Sequence, residues 1–208
     1  MRGLLVKEWV IVRQEKRTLA MLIAFGGLMC FVSTPAFAVF YIAMVAGMMA
    51  LGTMAYDEAD HGYCFLLTLP FSRRDYVREK YLFCGTWTAT FTVVATMLCL
   101  SMSAVQGGTA GDAQTLQSGA AALAAVLVMD AVMIPLRLKF GAEKSRIVLY
   151  LAAAAVAILG LLFEEVGRSA LIRTFLEGMS PWVAPLAALA MLFVSERLSE
   201  GIMQRKEF

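Results

Sequence analysis

Only 16% of the 208 residues carry a charged side chain, whereas about a quarter do in a soluble domain. With so little charge the chain is not intrinsically disordered, collagen-like or a coiled coil. Histidine occurs once, at His61, which leaves nothing from which a His-based metal site or a Ser-His-Asp triad could be assembled. No metal site is expected, and His61 reads as a solvated loop residue. The four cysteines, Cys30, Cys64, Cys84 and Cys99, are far apart and match no CxxC or zinc spacing, so a disulfide-stapled secreted module is also excluded. Three of them read as small apolar helix residues and Cys64 as a free thiol on the reducing side. There is no GxxxxGKS or GxxxxGKT phosphate loop, so the chain has no usual means of binding ATP.

What the chain has is apolar surface: 60% of its residues are hydrophobic and the mean hydropathy is +0.73. The fold class expected is all-α and integral to a membrane. At roughly 30 residues per span with its share of loop, about six helices fit, and no soluble catalytic domain of about 100 residues does. The run from Thr18 to Tyr56 holds no charged side chain and is too long for one crossing of a hydrocarbon core about 30 Å thick. Pro35 is the place for it to break. The spans then fall at 18–34, 36–55, 81–104, 118–136, 147–163 and 181–198, the fourth stopping at a basic stretch. The last is the weakest, since only 181–194 is unbroken apolar sequence, with Pro181 in its first turn.

Lysine and arginine give the orientation. Residues 1–17 hold five, 56–80 four, 135–146 four and 195–208 three, while only Arg168 and Arg173 lie between spans five and six. The positive-inside rule therefore places both termini in the cytoplasm, as an even number of spans also requires. A basic start, an apolar stretch and Ala36-Phe37-Ala38 also suggest a cleaved secretory signal. Glu8 and Glu15 in the supposed basic region, and the apolar span that would follow cleavage, argue against it.

The stretch between spans two and three is the most structured loop. Ser72 with Asp75 forms a capping-box-like start for a helix running through Lys80 into span three. Pro70 ends whatever precedes it, leaving residues 58–67 for about two and a half helical turns. One reading is a short interfacial helix that closes a hairpin.

Four segments carry a resemblance. They are Tyr56-Asp57-Glu58 with Leu67-Thr68-Leu69-Pro70-Phe71-Ser72-Arg73-Arg74-Asp75; Ile134-Pro135-Leu136-Arg137-Leu138-Lys139-Phe140-Gly141-Ala142-Glu143-Lys144-Ser145-Arg146; Ser195-Glu196-Arg197-Leu198-Ser199-Glu200 with Arg205-Lys206-Glu207-Phe208; and the opening Gly3-Leu4-Leu5-Val6-Lys7-Glu8. In this order they resemble the small bacterial ABC-2 type permeases, the membrane subunits of ABC exporters. The resemblance implies six transmembrane helices, a cytoplasmic N-terminal helix and an extracellular hairpin between spans five and six, at about 164–180. It also implies a coupling helix within 56–72 that sits on an ATPase subunit, with Glu58, Asp60, Tyr63, Phe65, Leu66 and Leu69 as contacts. ATP and Mg would belong to that partner, present in two copies, and a second permease subunit would complete a homodimer in the bacterial plasma membrane. No nucleic acid is expected as a partner, and this chain itself would not be an enzyme.

Three further features stay open. Arg137, Lys139, Lys144 and Arg146 suit contact with anionic headgroups. Asp130 is the one carboxylate inside a predicted span and is costly there; it reads either as a local partner of Arg137, two turns on, or as part of a cargo or proton path. Met44, Met48, Met49 and Met54 share span two with the small-residue pairs Ala43/Gly47 and Ala46/Ala50, which favours close helix packing. A Met-rich wall would also suit an amphipathic or peptide-like cargo. The competing functions are an ion-coupled secondary transporter using Asp130 and a non-transporting immunity or sensor subunit.

Overall fold

The computed structural model describes residues 2–32, 34–58, 72–105, 112–141, 143–145, 147–148, 150–151 and 183–205. These are helical apart from single junction residues, and none of them is in a strand. The helices are α1 (Arg2–Gln14), α2 (Lys16–Val32), α3 (Pro35–Glu58), α4 (Arg73–Val105), α5 (Asp112–Phe140) and α6 (Val183–Arg205). α3, α4 and α5 pack against one another, α6 lies on α4 and α5, and α1 and α2 lie on α3 and α4.

The junctions are set by capping chemistry. Glu15 separates α1 from α2: its carbonyl accepts from the Leu19 amide at 3.0 Å and its carboxylate accepts from the Thr18 hydroxyl at 2.9 Å. The Tyr56 hydroxyl donates to the same carboxylate. These two donors, Tyr56 foremost, hold the Glu15 carboxyl below the usual carboxylate range. Thr34 precedes Pro35 and accepts from the Phe37 and Ala38 amides at 3.0 and 3.2 Å, so Pro35 occupies the first turn where it has no hydrogen bond to lose. α4 opens on a full capping box: the Asp75 amide donates to Ser72 Oγ and the Ser72 amide to Asp75 Oδ2, both at 3.1 Å.

Among the described residues, three helices are long and apolar enough to cross a membrane: Pro35–Glu58, Arg73–Met102 and Ala113–Phe140. α2 has 17 residues, about 26 Å at the helical rise, which falls short of a typical hydrocarbon core. α6 carries Glu196, Arg197, Glu200 and Arg205 in its second half, so only its first half is continuously apolar. Of the fifth stretch, Ile147, Val148, Tyr150 and Leu151 are described and helical. The rest of that stretch, Pro181 and the 164–180 hairpin lie outside the described residues.

α3 supplies the tightest packing. Ala38, Ala43, Ala46, Gly47 and Ala50 are all buried, and a Cβ added at Gly47 would lie 2.6 Å from Val126 on α5. Small residues let backbones approach where no water drives association. α4 lines its buried side with threonines, and Thr92 and Thr96 donate to the carbonyls of Thr88 and Thr92 at 2.8 Å. Back-bonding of this kind leaves no hydroxyl proton unmatched in apolar surroundings.

The end of α5 departs from expectation. The helix does not stop at residue 136: it continues through Pro135 to Phe140. Its terminator is Gly141, at φ 84°, whose amide donates to the Arg137 carbonyl at 2.9 Å in a left-handed cap. Arg137 is buried there and donates to the Leu51 carbonyl of α3. Its charge therefore serves helix packing and not a headgroup-binding loop, whereas Lys139 and Lys144 are exposed.

Gly141 has two reasons to be glycine, its positive φ and the Glu58 carboxylate lying where a Cβ would stand. Gly141→Ala is expected to cost about 1–2 kcal/mol, read as a lower midpoint when the protein is unfolded with SDS from mild detergent. Gly85→Ala, with nothing within 4 Å of its added Cβ, is expected to leave that midpoint unchanged or raise it.

Candidate functional site

All six described helices reach one end of the bundle, where α3, α5 and α6 finish, α4 starts and α1 turns into α2. The 59–71 stretch joins two of them, so this end is its foot. α1 buries Leu4, Glu8 and Val12, one residue per turn on a single face. α3 buries Thr53 and Asp57, and α4 buries Tyr76, Glu79 and Lys80. Each charged member thus lies on an otherwise apolar stripe and is carried inwards by helix geometry.

Lys80 is fully buried and uses its ammonium on three partners from two other helices. Its Nζ lies 2.6 Å from Glu8 Oε1, 2.7 Å from Asp57 Oδ2 and 3.4 Å from Thr53 Oγ1. The Tyr76 hydroxyl donates to Asp57 Oδ2 at 2.9 Å. Lys7 closes the outer side, at 2.5 Å from Asp57 Oδ1 and 3.1 Å from Glu8 Oε1. Glu79 is buried beside Lys80 with no hydrogen-bond partner on either carboxylate oxygen among the described residues. Trp9 of α1 meets Trp87 of α4 edge-on at 5.6 Å, adding an aromatic contact between the same two helices.

A second polar seam ties α6 to the bundle. The Tyr81 hydroxyl lies 2.6 Å from Ser195 Oγ and 2.8 Å from Ser199 Oγ, and Ser195 donates to the Ala131 carbonyl of α5. Arg78 pairs with Glu196 and Glu200 at 3.4 and 3.2 Å. Arg73 donates to the Met203 and Gln204 carbonyls at the end of α6 at 3.2 and 3.3 Å, satisfying acceptors that a helix end leaves open.

Of the coupling residues read from the sequence, Glu58 is described: it is half-buried, with its carboxylate against Gly141. Asp60, Tyr63, Phe65, Leu66 and Leu69, with His61 and Cys64, lie outside the described residues. The cargo-path residues do not share one wall. Met44 and Met48 face outwards from α3, while Asp130 is fully buried on α5. Met48 and Met49 line a groove of about 300 Å³ that also holds Glu15 and Tyr56. Asp130 accepts from Thr88 at 3.3 Å and its Oδ1 has no hydrogen-bond partner among the described residues. Asp130 and Arg137 each bond to a different helix, and the Arg137 charge also acts on Asp130.

The sequence reading missed the network centred on Lys80. A readable signal existed: Glu8 is four residues from both Leu4 and Val12, and Lys80 four from both Tyr76 and Cys84. A charge on such a stripe is either buried with a partner or the stripe is not a packing face.

The family model described as ABC-2 family transporter protein matches residues 3–204. The chain belongs to that family. No curated protein and no solved structure matches it. The family is one of membrane components of ABC transporters, so this ABC-2 protein is a permease subunit and the family implies association with an ABC ATPase subunit. The Lys80 network lies where the two helices flanking 59–71 leave the bundle.

Removing one partner from a buried pair leaves uncompensated charge, a loss of about 3–5 kcal/mol. Lys80→Met is therefore expected to destabilise the ABC-2 protein by that amount in SDS-titrated unfolding. Arg78→Met, which removes an ion pair whose arginine is 43% exposed, is expected to cost less than about 1 kcal/mol. Equal losses for the two variants would contradict the assignment of Lys80 as the buried centre.

Proposed function

We propose that this chain is the membrane-spanning subunit of an ATP-driven exporter, powered by a separate ATPase that docks on residues 56–72. The supporting observation is the Lys80 network at the foot of that stretch. Asp57 closes α3 one residue before Glu58, Lys80 lies in the first two turns of α4, and Glu8 and Lys7 clamp both to α1. A stiff foot of this kind lets a push on a short segment move helices instead of bending a loop. In this reading Glu58, Asp60, Tyr63, Phe65, Leu66 and Leu69 meet the ATPase, which supplies ATP and Mg. Two permease copies and two ATPase copies form the complex in the bacterial plasma membrane, with both permease termini cytoplasmic.

The cargo proposed is amphipathic or peptide-like. The outward Met44 and Met48 face, with the Met48–Met49 groove beside it, supports an adaptable apolar wall. Asp130, buried with one oxygen unbonded among the described residues, is the observation that favours ion coupling as a second reading.

Purification of tagged protein from its native cell in mild detergent, followed by mass spectrometry, tests the first reading. Stoichiometric recovery of an ABC ATPase is expected, together with at least a tenfold loss of it in a Phe65→Ala, Leu66→Ala variant. Recovery of the permease without an ATPase would sink the ATP-driven reading and make Asp130→Asn the next variant to assay for ion-dependent transport.

A further inference from the structure

The end of the bundle remote from Lys80 brings together two thiols that are far apart in the chain. Cys30 on α2 and Cys99 on α4 are 69 residues apart in the chain, and their Sγ atoms are 3.4 Å apart. Both are free thiols. Cys30 lies two residues before the end of α2 and is half-buried, whereas Cys99 lies six residues before the end of α4 and is buried. Cys99 is nineteen residues beyond Lys80 on the same helix, about 29 Å away along its axis. Cys99 belongs to a buried apolar cluster with Leu22, Val39, Ile42, Ala95 and Val126, and Cys30 packs against it.

We propose that Cys30 and Cys99 are a reversible thiol–disulfide couple that fastens α2 to α4. A disulfide needs its sulfurs about 2.05 Å apart, and at 3.4 Å the two sulfurs are already in direct contact. The count of Lys and Arg puts this end of the bundle on the non-cytoplasmic side, where thiols meet oxidising exchange partners in bacteria. The oxidant is a small-molecule disulfide or the disulfide of an exchange protein. Cys30, the more accessible thiol, attacks it as thiolate, forming a mixed disulfide and expelling one thiolate. Cys99 then attacks the Cys30 sulfur, forming the internal bond and expelling the second thiolate. The two protons lost by the cysteines end on the two leaving thiols, and the oxidant's disulfide is reduced as the protein's is formed.

The bond would close a loop through α3 and most of α4 and tie the end of α2 to α4. That this arrests transport rests on the permease reading; that the bond forms does not.

The test uses the full-length protein in mild detergent, treated with dipyridyl disulfide. Peptides from non-reducing digestion are analysed by mass spectrometry. The expected product is a Cys30–Cys99 cross-linked peptide, absent after dithiothreitol, with Cys30 in the Cys99→Ala variant stopping at the pyridyl mixed disulfide. Pyridyl adducts or unmodified thiols at both positions in the wild type, without the cross-linked peptide, would overturn the couple. The same oxidised samples, reconstituted with the co-purifying ATPase, separate the two claims. ATPase turnover that falls on oxidation in the wild type and not in Cys99→Ala supports the fastening as a brake. Unchanged turnover with the bond in place overturns the brake and leaves the bond standing.

Discussion

Burial of the Lys80 ammonium is the constraint on which the described structure depends. An amine without solvent is tolerable only if opposite charge is brought to it, and here the charge comes from two other helices, Glu8 on α1 and Asp57 on α3. Satisfying one side chain therefore fixes three elements at once. α1 is held against the bundle, the last turn of α3 is set beside the second turn of α4, and the exits towards 59–71 are placed side by side. Tyr76 and Lys7 add their own bonds to Asp57, so the cluster is coupled and no single bond carries it.

The two ends of the bundle are built on different principles. At the charged end, ion pairs and arginine–carbonyl bonds fix positions by direction and distance. Further along, the helices are held by small-residue contacts such as Gly47 against Val126 and Gly119 against Thr96, with hydroxyls bonded back to their own helix. Close packing of this second kind permits sliding more readily than a directed charge network does.

Much of the fold was legible because it rests on local chemistry. The break at Pro35, the Ser72–Asp75 capping box and the small-residue face of α3 each depend on residues within a few positions of one another. The basic run after Pro135 looks like a stop, but α5 carries Pro135 inside it and ends at the left-handed Gly141 cap. Helical spacing puts Asp130 and Arg137 on one face, and the Arg137 charge does act on Asp130, but their bonds to Thr88 and to the Leu51 carbonyl run to neighbouring helices and are not visible in that spacing. Of the candidate site, the motif Tyr56-Asp57-Glu58 was noticed for its likeness to a family, and the role of Asp57 was not. Which charges meet across 50 or 70 residues is decided by tertiary packing, and one sequence holds no direct record of it.

The measurement that bears most directly on this account is a double-mutant cycle across α1 and α4. Glu8→Gln, Lys80→Met and the double variant would be unfolded with SDS from mild detergent alongside the wild type. The account predicts strong non-additivity, a coupling of about 1–3 kcal/mol, with the double variant more stable than the sum of the single losses implies. Additive losses would mean that Glu8 and Lys80 act independently, and the network could not be the element that binds α1 to the foot of the bundle.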